Sequence, residues 1–226
     1  FRTKQGGLIA DINNDIDWLN KIIAHGFSKI SPTTIISGVR IGDAISGDLT
    51  KSGVKRDLYD EVLKLITGFG IGSALCNNPC IVEIMFGDFM TLCVDQLVQQ
   101  ASKIPSMYGE EVDLPLVIRT PMGGRRGYGP THSQNIEKLF LFWPNIDVVA
   151  INCLTDTDST YTAAINNRKT TIIIEDKVSY TQKTLDKAPL GYEIFQSNEL
   201  FPTYTLEPTF SRPNLVIVAY GAMLKE

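Results

Sequence analysis

The sequence predicts an α/β fold, a three-layer α/β/α sandwich with a mostly parallel sheet. Several short runs are almost continuously apolar, which is typical of strands buried on both faces of a sheet. Segments with apolar residues at helical spacing separate these runs, and this alternation favours β–α–β units with right-handed crossovers. The 226 residues are enough for one large domain whose core needs no disulfide or metal.

The first 56 residues are predicted to be a helix, a strand and a loop of the same domain as the residues that follow. Apolar residues recur at helical spacing over residues 12–23. Residues 33–37 are mostly β-branched, which favours a short strand. Residues 38–56 are rich in Gly, Ser, Asp and Lys, which indicates a loop. The chain begins at Phe1 without a methionine or a signal-peptide core, so we expect a fragment of a longer protein.

Residues 57–176 are predicted to form the centre of the sheet and its helices. Residues 58–65 have helical spacing, and Asp88 can cap a helix that begins near Thr91. The predicted strands are residues 80–86, 114–119, 146–151 and 171–174, and further helices are expected at residues 133–142 and 159–166.

The remaining residues are predicted to be a linker and the start of another structural unit. Residues 177–213 contain Pro189, Pro202, Pro208 and Pro213 with little periodicity, which indicates a segment along the surface. The apolar run at residues 215–219 predicts a strand close to the end of the chain, so we expect more chain after it.

The composition argues against several classes of function. A formal net charge of −4 disfavours nucleic acid or an anionic membrane as the main partner. No apolar run approaches the ~20 residues that cross a membrane. With only two histidines, a His-rich metal site is not expected. The cysteines, which have no paired metal spacing, are predicted to be buried, reduced thiols of a cytoplasmic protein: Cys76, Cys80, Cys93 and Cys153.

Two glycine-rich stretches are candidates for function. Residues 68–72 lack the G-x-G-x-x-G spacing, so a small-residue helix face packed on the sheet is favoured over a dinucleotide site. Residues 123–130 follow a strand and lead to Thr131-His132-Ser133-Gln134, and a loop at the carboxyl end of a strand is a common place for chemistry. A plain connecting loop, with Ser133 as a helix cap, explains the second pattern equally well. Neither a G-x-S-x-G elbow nor a Walker lysine is present.

Several segments, in this order, resemble the pyrimidine-binding domain of thiamine-diphosphate enzymes. They are residues 66–75 (the small-residue helix), Glu83-Ile84-Met85-Phe86-Gly87-Asp88-Phe89, Asp95-Gln96-Leu97, Ile118-Arg119-Thr120-Pro121, residues 127–134, and Trp143 to Val149. The resemblance is strongest to the β subunits of the decarboxylating components of 2-oxo acid dehydrogenases and weaker to transketolase. Residues 214–226 resemble the opening of the family's C-terminal domain.

The resemblance implies a cofactor and the residues that hold it. In this family thiamine diphosphate carries the chemistry, and the protein orients and tunes it. Phe86 and Phe89 are implied to line or stack on the pyrimidine ring, and Met85 is implied to lie beside that ring. His132 is implied to face the substrate, where an imidazole can donate a proton or stabilise a carboxylate. The alternative role for Phe86 and Phe89 is ordinary core packing, and the alternative for His132 is an exposed histidine in a loop without a role in the site.

The resemblance also implies an activity and partners. The expected reaction is decarboxylation of a 2-oxo acid, with the acyl group passed to a lipoyl-type acceptor. The alternatives are ketol transfer and a non-catalytic assembly module. Nothing resembles the family's Gly-Asp-Gly…Asn signature for magnesium and diphosphate, so a diphosphate-binding domain or α subunit is expected to hold both. We therefore expect a homo- or hetero-oligomer, contact with a lipoyl domain, and weak cofactor binding by this chain alone.

One position departs from the family's pattern. Where the family has its pyrimidine-activating glutamate, upstream of Gly68, this sequence has Leu63. Nearby Glu61 does not stand in the family's Ser-Glu turn. Either the domain is catalytically inactive, or a short segment is missing between Leu65 and Ile66. We favour the second explanation, because the family's pattern resumes abruptly at Ile66.

Overall fold

The structure, a computed structural model, describes residues 34–37, 57–107, 112–185 and 187–225. The strands of its main sheet are β1 (Thr34–Ser37), β2 (Cys80–Glu83), β3 (Leu116–Met122), β4 (Ile146–Ala150) and β5 (Thr170–Asp176). They lie in the order β1–β2–β3–β5–β4, and each neighbouring pair is parallel. The parallel sheet agrees with the predicted fold class. The helix predicted at residues 12–23 and the loop predicted at residues 38–56 lie outside the described residues.

The α-helices of the described residues are α1 (Asp57–Leu75), α2 (Ile104–Met107) and α3 (Thr157–Asn166). Where the sequence predicts a helix that begins near Thr91, the chain instead forms a 3-10 helix at Gly87–Cys93 and a π-helix at Gln96–Ala101. α3 begins after Asp156, whose carboxylate accepts hydrogen bonds from the N–H groups of Asp158 and Ser159. This cap satisfies donors that a helix start leaves unpaired. None of the described helices is long and apolar enough to cross a membrane.

Helices cover both faces of the sheet. On one face, α1 and the turns after β2 pack on the main core, which includes Val82 and Leu116. On the other face, Ala164 of α3 packs with Val117 and Ile173. Neighbouring residues such as Leu116 and Val117 enter different cores, because side chains alternate between the faces of a strand. This arrangement gives the three predicted layers.

α1 approaches the sheet most closely at a glycine. A Cβ atom on Gly70 would lie 2.5 Å from Val82 Cγ2 and 3.0 Å from Leu116 Cδ1. By contrast, a Cβ atom on Gly68 or Gly72 would have no neighbour within 4 Å. Within the first glycine-rich stretch, the predicted packing of small residues on the sheet is therefore confirmed at Gly70 and wrong at Gly68 and Gly72.

Two predicted elements are wrong. Residues 133–142 form no α-helix and contain only a 3-10 turn at Glu137–Leu139. At the start of this segment, the N–H of Gln134 donates to the carboxylate of Asp88, outside any helical pattern. Residues 215–219 form no strand. The side chains of Leu215 to Val218 are 74–91% exposed, and no described strand lies beside them to complete a ladder.

Two other features of the chain differ from expectation. Asp88 does not cap a helix, because its carboxylate is buried and accepts a hydrogen bond from Gln134. The 3-10 helix that begins at Gly87 has no side-chain cap. Inside the predicted linker the chain forms an antiparallel hairpin of β6 (Tyr192–Gln196) and β7 (Tyr204–Pro208), which the sequence did not reveal.

The cysteines fall into two classes. Cys80 and Cys93 are buried, and burial raises the pKa of the Cys80 thiol to about 12 and that of Cys93 to about 11. Cys76 is exposed and Cys153 is half-buried, so the expectation that all four are buried is wrong. Cys76 directly follows α1, in a turn that faces the solvent.

Candidate functional site

Three segments that follow parallel strands meet at the carboxyl edge of the sheet. Residues 86–89 come after β2, the His132 loop (residues 123–132) comes after β3, and Lys177 comes directly after β5. Parallel strands end at the same edge, so segments far apart in sequence become neighbours there. A Cβ atom on Gly87 would lie 2.3 Å from Met122 Cγ, so the missing side chain lets the first segment pack on the end of β3.

Four aromatic side chains form one cluster at this edge. The ring centroid of Phe86 lies 5.8 Å from that of Phe89, 5.4 Å from that of Tyr128 and 4.7 Å from that of His132. The centroids of His132 and Phe89 are 5.2 Å apart. All four pairs are edge-to-face, a favourable arrangement for aromatic rings. The structure thus brings together three of the four residues that the resemblance implied.

The fourth residue, Met85, is half-buried and packs against the main core. This placement matches the core-packing alternative. His132 is also half-buried, and its Nδ1 lies 2.8 Å from the hydroxyl oxygen of Thr131. This contact engages one ring nitrogen, so Nε2 is the nitrogen through which His132 can act on a bound molecule.

A buried carboxylate and a buried lysine support the aromatic cluster. Asp88 Oδ1 accepts hydrogen bonds from the backbone N–H and the side-chain amide of Gln134, at 3.3 and 2.9 Å. The ammonium of Lys177 lies 4.9 Å from the ring centroid of Phe86, within cation–π range. Burial lowers the pKa of Lys177, and the charges of Asp88 and Asp176 oppose that shift. The sequence did not single out Lys177, although its place directly after a strand was a usable signal.

An ion cluster connects β2, β3 and β5 on the face of the sheet that α3 covers. Arg119 pairs with Glu83 at 3.3 Å and with Glu175 at 2.7 Å. The hydroxyls of Tyr161 and Tyr180 donate to Glu175, at 2.6 and 2.5 Å. Burial and the hydrogen bond to Glu175 raise the pKa of both tyrosines. Burial acts to lower the pKa of Arg119, but Glu175 outweighs it and the net shift is upward.

Aromatic side chains such as those of the cluster can pack on a flat heteroaromatic ring, but Leu63 stands where the family's pattern has its acid. Leu63 is fully buried in the main core, and its carbonyl accepts hydrogen bonds from Thr67 Oγ1 and Cys93 Sγ. α1 runs without a break through Leu65 and Ile66, and a missing segment at that point stays a prediction. Among the described residues, no three His, Cys, Asp or Glu side chains are grouped to hold a metal ion.

Comparison with known protein families supports the sequence resemblance. The family described as "Transketolase, pyrimidine binding domain" matches residues 64–183, a range that contains the aromatic cluster and Lys177. The beta subunit of acetoin:2,6-dichlorophenolindophenol oxidoreductase from Cupriavidus necator is 36% identical over 178 residues, which cover 72% of this chain and 52% of the relative.

Two further proteins are similar over much of the chain. The subunit beta-1 of the mitochondrial pyruvate dehydrogenase E1 component from Arabidopsis thaliana is 25% identical over 216 residues, covering 92% of this chain and 58% of the relative. A solved split gene transketolase, an inactive beta4 tetramer, has a TM-score of 0.43 and 15% identity, and the match covers 76% of this chain and 52% of that one. The chain therefore spans little more than half the length of these curated relatives.

Proposed function

The chain belongs to the family of transketolase pyrimidine-binding domains, and from this premise we propose that it is the pyrimidine-binding part of a thiamine-diphosphate-dependent enzyme that decarboxylates a 2-oxo acid. The observation that carries the proposal is the convergence of His132 with Phe86 and Phe89, at centroid distances of 4.7 and 5.2 Å. Aromatic side chains can hold a flat ring, and a histidine beside them can transfer a proton. The acyl group is proposed to pass to a lipoyl-type acceptor.

Each residue of the cluster has a role in this proposal. When bound, thiamine diphosphate supplies the carbon nucleophile that attacks the 2-oxo acid. Phe86 and Phe89 hold the pyrimidine ring and exclude water from it, and Met85 adds to the apolar wall. His132 holds a proton at Nε2, which it gives to a substrate oxygen or uses to bind the substrate carboxylate, while Thr131 fixes Nδ1.

The proposed enzyme is an assembly. The relatives are named as beta subunits, and this chain spans only part of their length. Magnesium and the diphosphate are proposed to be held by a diphosphate-binding domain or α subunit. Within the chain, we place the pyrimidine-binding core at residues 57–176, its N-terminal part at residues 1–56, a linker at residues 177–213 and the start of a further domain at residues 214–226. A homo- or hetero-oligomer, contact with a lipoyl domain and a cytoplasmic location complete the proposal.

A non-catalytic assembly module of the same fold is the second candidate, and the buried Leu63 favours it. A hydrocarbon side chain cannot hydrogen-bond a ring nitrogen, so the chain as written lacks the family's activating acid at this position. The packing of His132 on Phe86 favours the enzyme, since assembly alone does not need an imidazole at that place.

The complete enzyme, assembled with its diphosphate-binding partner, tests both candidates. We expect it to oxidise pyruvate or a longer 2-oxo acid with 2,6-dichlorophenolindophenol as acceptor, and only when thiamine diphosphate and magnesium are present. The His132→Ala variant should lose turnover by a factor on the order of 10², the usual effect of removing a proton-transfer group.

The control is Lys183→Ala, which removes an exposed side chain outside the aromatic cluster and should keep turnover within about twofold. Unchanged turnover in His132→Ala contradicts the proposed role of that residue. A wild-type assembly that forms normally but neither binds thiamine diphosphate in calorimetry nor turns over any 2-oxo acid supports the module instead.

A further inference from the structure

Lys177 contacts the His132 loop and its flanks at several points. Its Nζ donates to the carbonyl oxygen of Gly123 at 3.1 Å and to the carbonyl oxygen of His132. Its backbone N–H donates to the carbonyl of Met122 at 3.2 Å. Its carbonyl accepts hydrogen bonds from Nε and Nη2 of Arg126, at 3.2 and 2.8 Å. A single residue therefore binds both ends and the middle of the loop.

Core packing does not hold the His132 loop. Residues 125–131 are all exposed. Tyr128 packs edge-to-face on Phe86 but is 54% exposed, so buried apolar surface contributes little to holding the loop. The backbone has positive φ at Gly123, Gly127 and Gly129, and also at Arg125, where φ is 64°. A residue with a Cβ atom adopts this conformation reluctantly. The shape of the loop therefore depends on polar contacts such as those of Lys177.

An ammonium group suits this position. Two converging carbonyl oxygens need a partner that only donates, and an ammonium offers three donors and no acceptor. Lys177 is 4% exposed, and burying its charge is unfavourable unless hydrogen bonds and opposite charges compensate. The two carbonyls, the nearby carboxylate of Asp88 and the ring of Phe86 at 4.9 Å provide that compensation.

The ring that Lys177 faces is the ring on which His132 packs. Phe86 lies 4.9 Å from the ammonium and 4.7 Å from the imidazole centroid. The ammonium also binds the backbone carbonyl of His132. Movement of the loop away from Lys177 would therefore carry the imidazole away from Phe86.

We propose that Lys177 is a positioning residue that closes the His132 loop and thereby holds the imidazole of His132 against Phe86. The closure of the loop is inferred from the contacts of Lys177 alone. The effect of closure on catalysis by His132 rests on the proposed function. Because Lys177 is almost fully buried, its role does not require it to touch the substrate.

Limited proteolysis of the complete, assembled enzyme tests closure without reference to catalysis. Trypsin can cut the loop only after Arg125 or Arg126. In Lys177→Met we expect this cleavage to be faster by about tenfold or more, because the loss of two charge-assisted hydrogen bonds raises the population of the open loop. The matched control is Lys183→Met, an exposed lysine in the next segment, and it should cleave at the wild-type rate. Equal cleavage of wild type and Lys177→Met overturns the proposal.

A second variant covers the case in which Lys177→Met does not fold. Lys177→Gln keeps a polar side chain with an amide donor but removes the charge. We expect faster amide hydrogen exchange in the peptide that spans residues 123–132, with the strands of the sheet unchanged. Exchange in this peptide at the wild-type rate would overturn closure by Lys177.

Steady-state kinetics of the same assemblies test the catalytic consequence. kcat should fall by about tenfold in Lys177→Met, and Lys177→Arg, which can still donate to both carbonyls, should recover most of it. Faster loop cleavage with an unchanged kcat refutes the positioning of His132. If even the wild-type assembly lacks turnover, the proposed function fails, and the proteolysis result still decides whether Lys177 closes the loop.

Discussion

The close approach of α1 to the sheet predicts that one added methyl group at Gly70 weakens the fold, although alanine is the better helix former. The new Cβ would lie 2.5 Å from Val82 Cγ2, about 1 Å inside a normal carbon–carbon contact. Val82 is buried and β-branched, so its methyl group has no free rotamer to move into. Overpacking of this kind costs about 1–3 kcal/mol, against a gain of at most about 1 kcal/mol in helix propensity.

Two neighbouring glycines supply the controls for this experiment. Gly68→Ala and Gly72→Ala meet no atom within 4 Å and should each stabilise the protein by about 0.5–1 kcal/mol. Gly70→Ala should be less stable than either control by about 1–3 kcal/mol. Urea unfolding followed by far-ultraviolet circular dichroism measures the free energy of unfolding of all three variants. A Gly70→Ala variant as stable as Gly68→Ala would show that α1 does not pack on Val82 as described.

Two further predictions concern the ion cluster and the cysteines. Arg119→Met leaves two partly buried carboxylates without their counter-ion and should lower the free energy of unfolding by about 2–3 kcal/mol. Arg168→Met breaks an exposed ion pair and should lower the free energy of unfolding by under about 1 kcal/mol. Equal urea unfolding midpoints for Arg119→Met and Arg168→Met would contradict this prediction. At pH 8 a maleimide should label Cys76 in the folded protein but not Cys80 or Cys93, whose raised pKa values leave on the order of 10⁻⁴ and 10⁻³ of each thiol ionised. Mass spectrometry of the labelled peptides checks this, and equal labelling of the folded protein would refute the described burial.

The sequence predicts an element well when its residues decide the structure locally. β4 and α3 lie close to the predicted ranges, because a continuous apolar run and a capped helix are local signals. Residues 133–142 also carry helical apolar spacing, yet no α-helix forms. The backbone and side-chain amides of Gln134 both bind Asp88, 46 positions earlier in the chain. A contact over that distance is invisible to a pattern read along a short window.

In the candidate site, too, the residues that stand in local motifs were predictable and Lys177, which is placed by distant contacts, was not. Phe86, Phe89 and His132 stand in ordered motifs, so the resemblance implied one site for them. Tyr128 joins them only in the structure. Lys177 has no such signal beyond its place after a strand, since a lysine in a polar segment is usually exposed. Its burial depends on carbonyl groups at both ends of a loop more than 40 positions away. Only the packed sheet brings these groups together.

The burial of Leu63 limits where the activating acid of the proposed enzyme can be. The side chain is fully enclosed in the main core, so a carboxyl group at this position would be desolvated and would favour its neutral form. It would also be surrounded by apolar atoms instead of facing a ligand, and restoring a glutamate at position 63 alone would therefore destabilise the core. For the assembly to be active, the acid has to come from a residue outside the main core as described, on this chain or on its partner. An assembly that forms with an intact His132 loop and yet lacks turnover is the result expected if no residue supplies that acid.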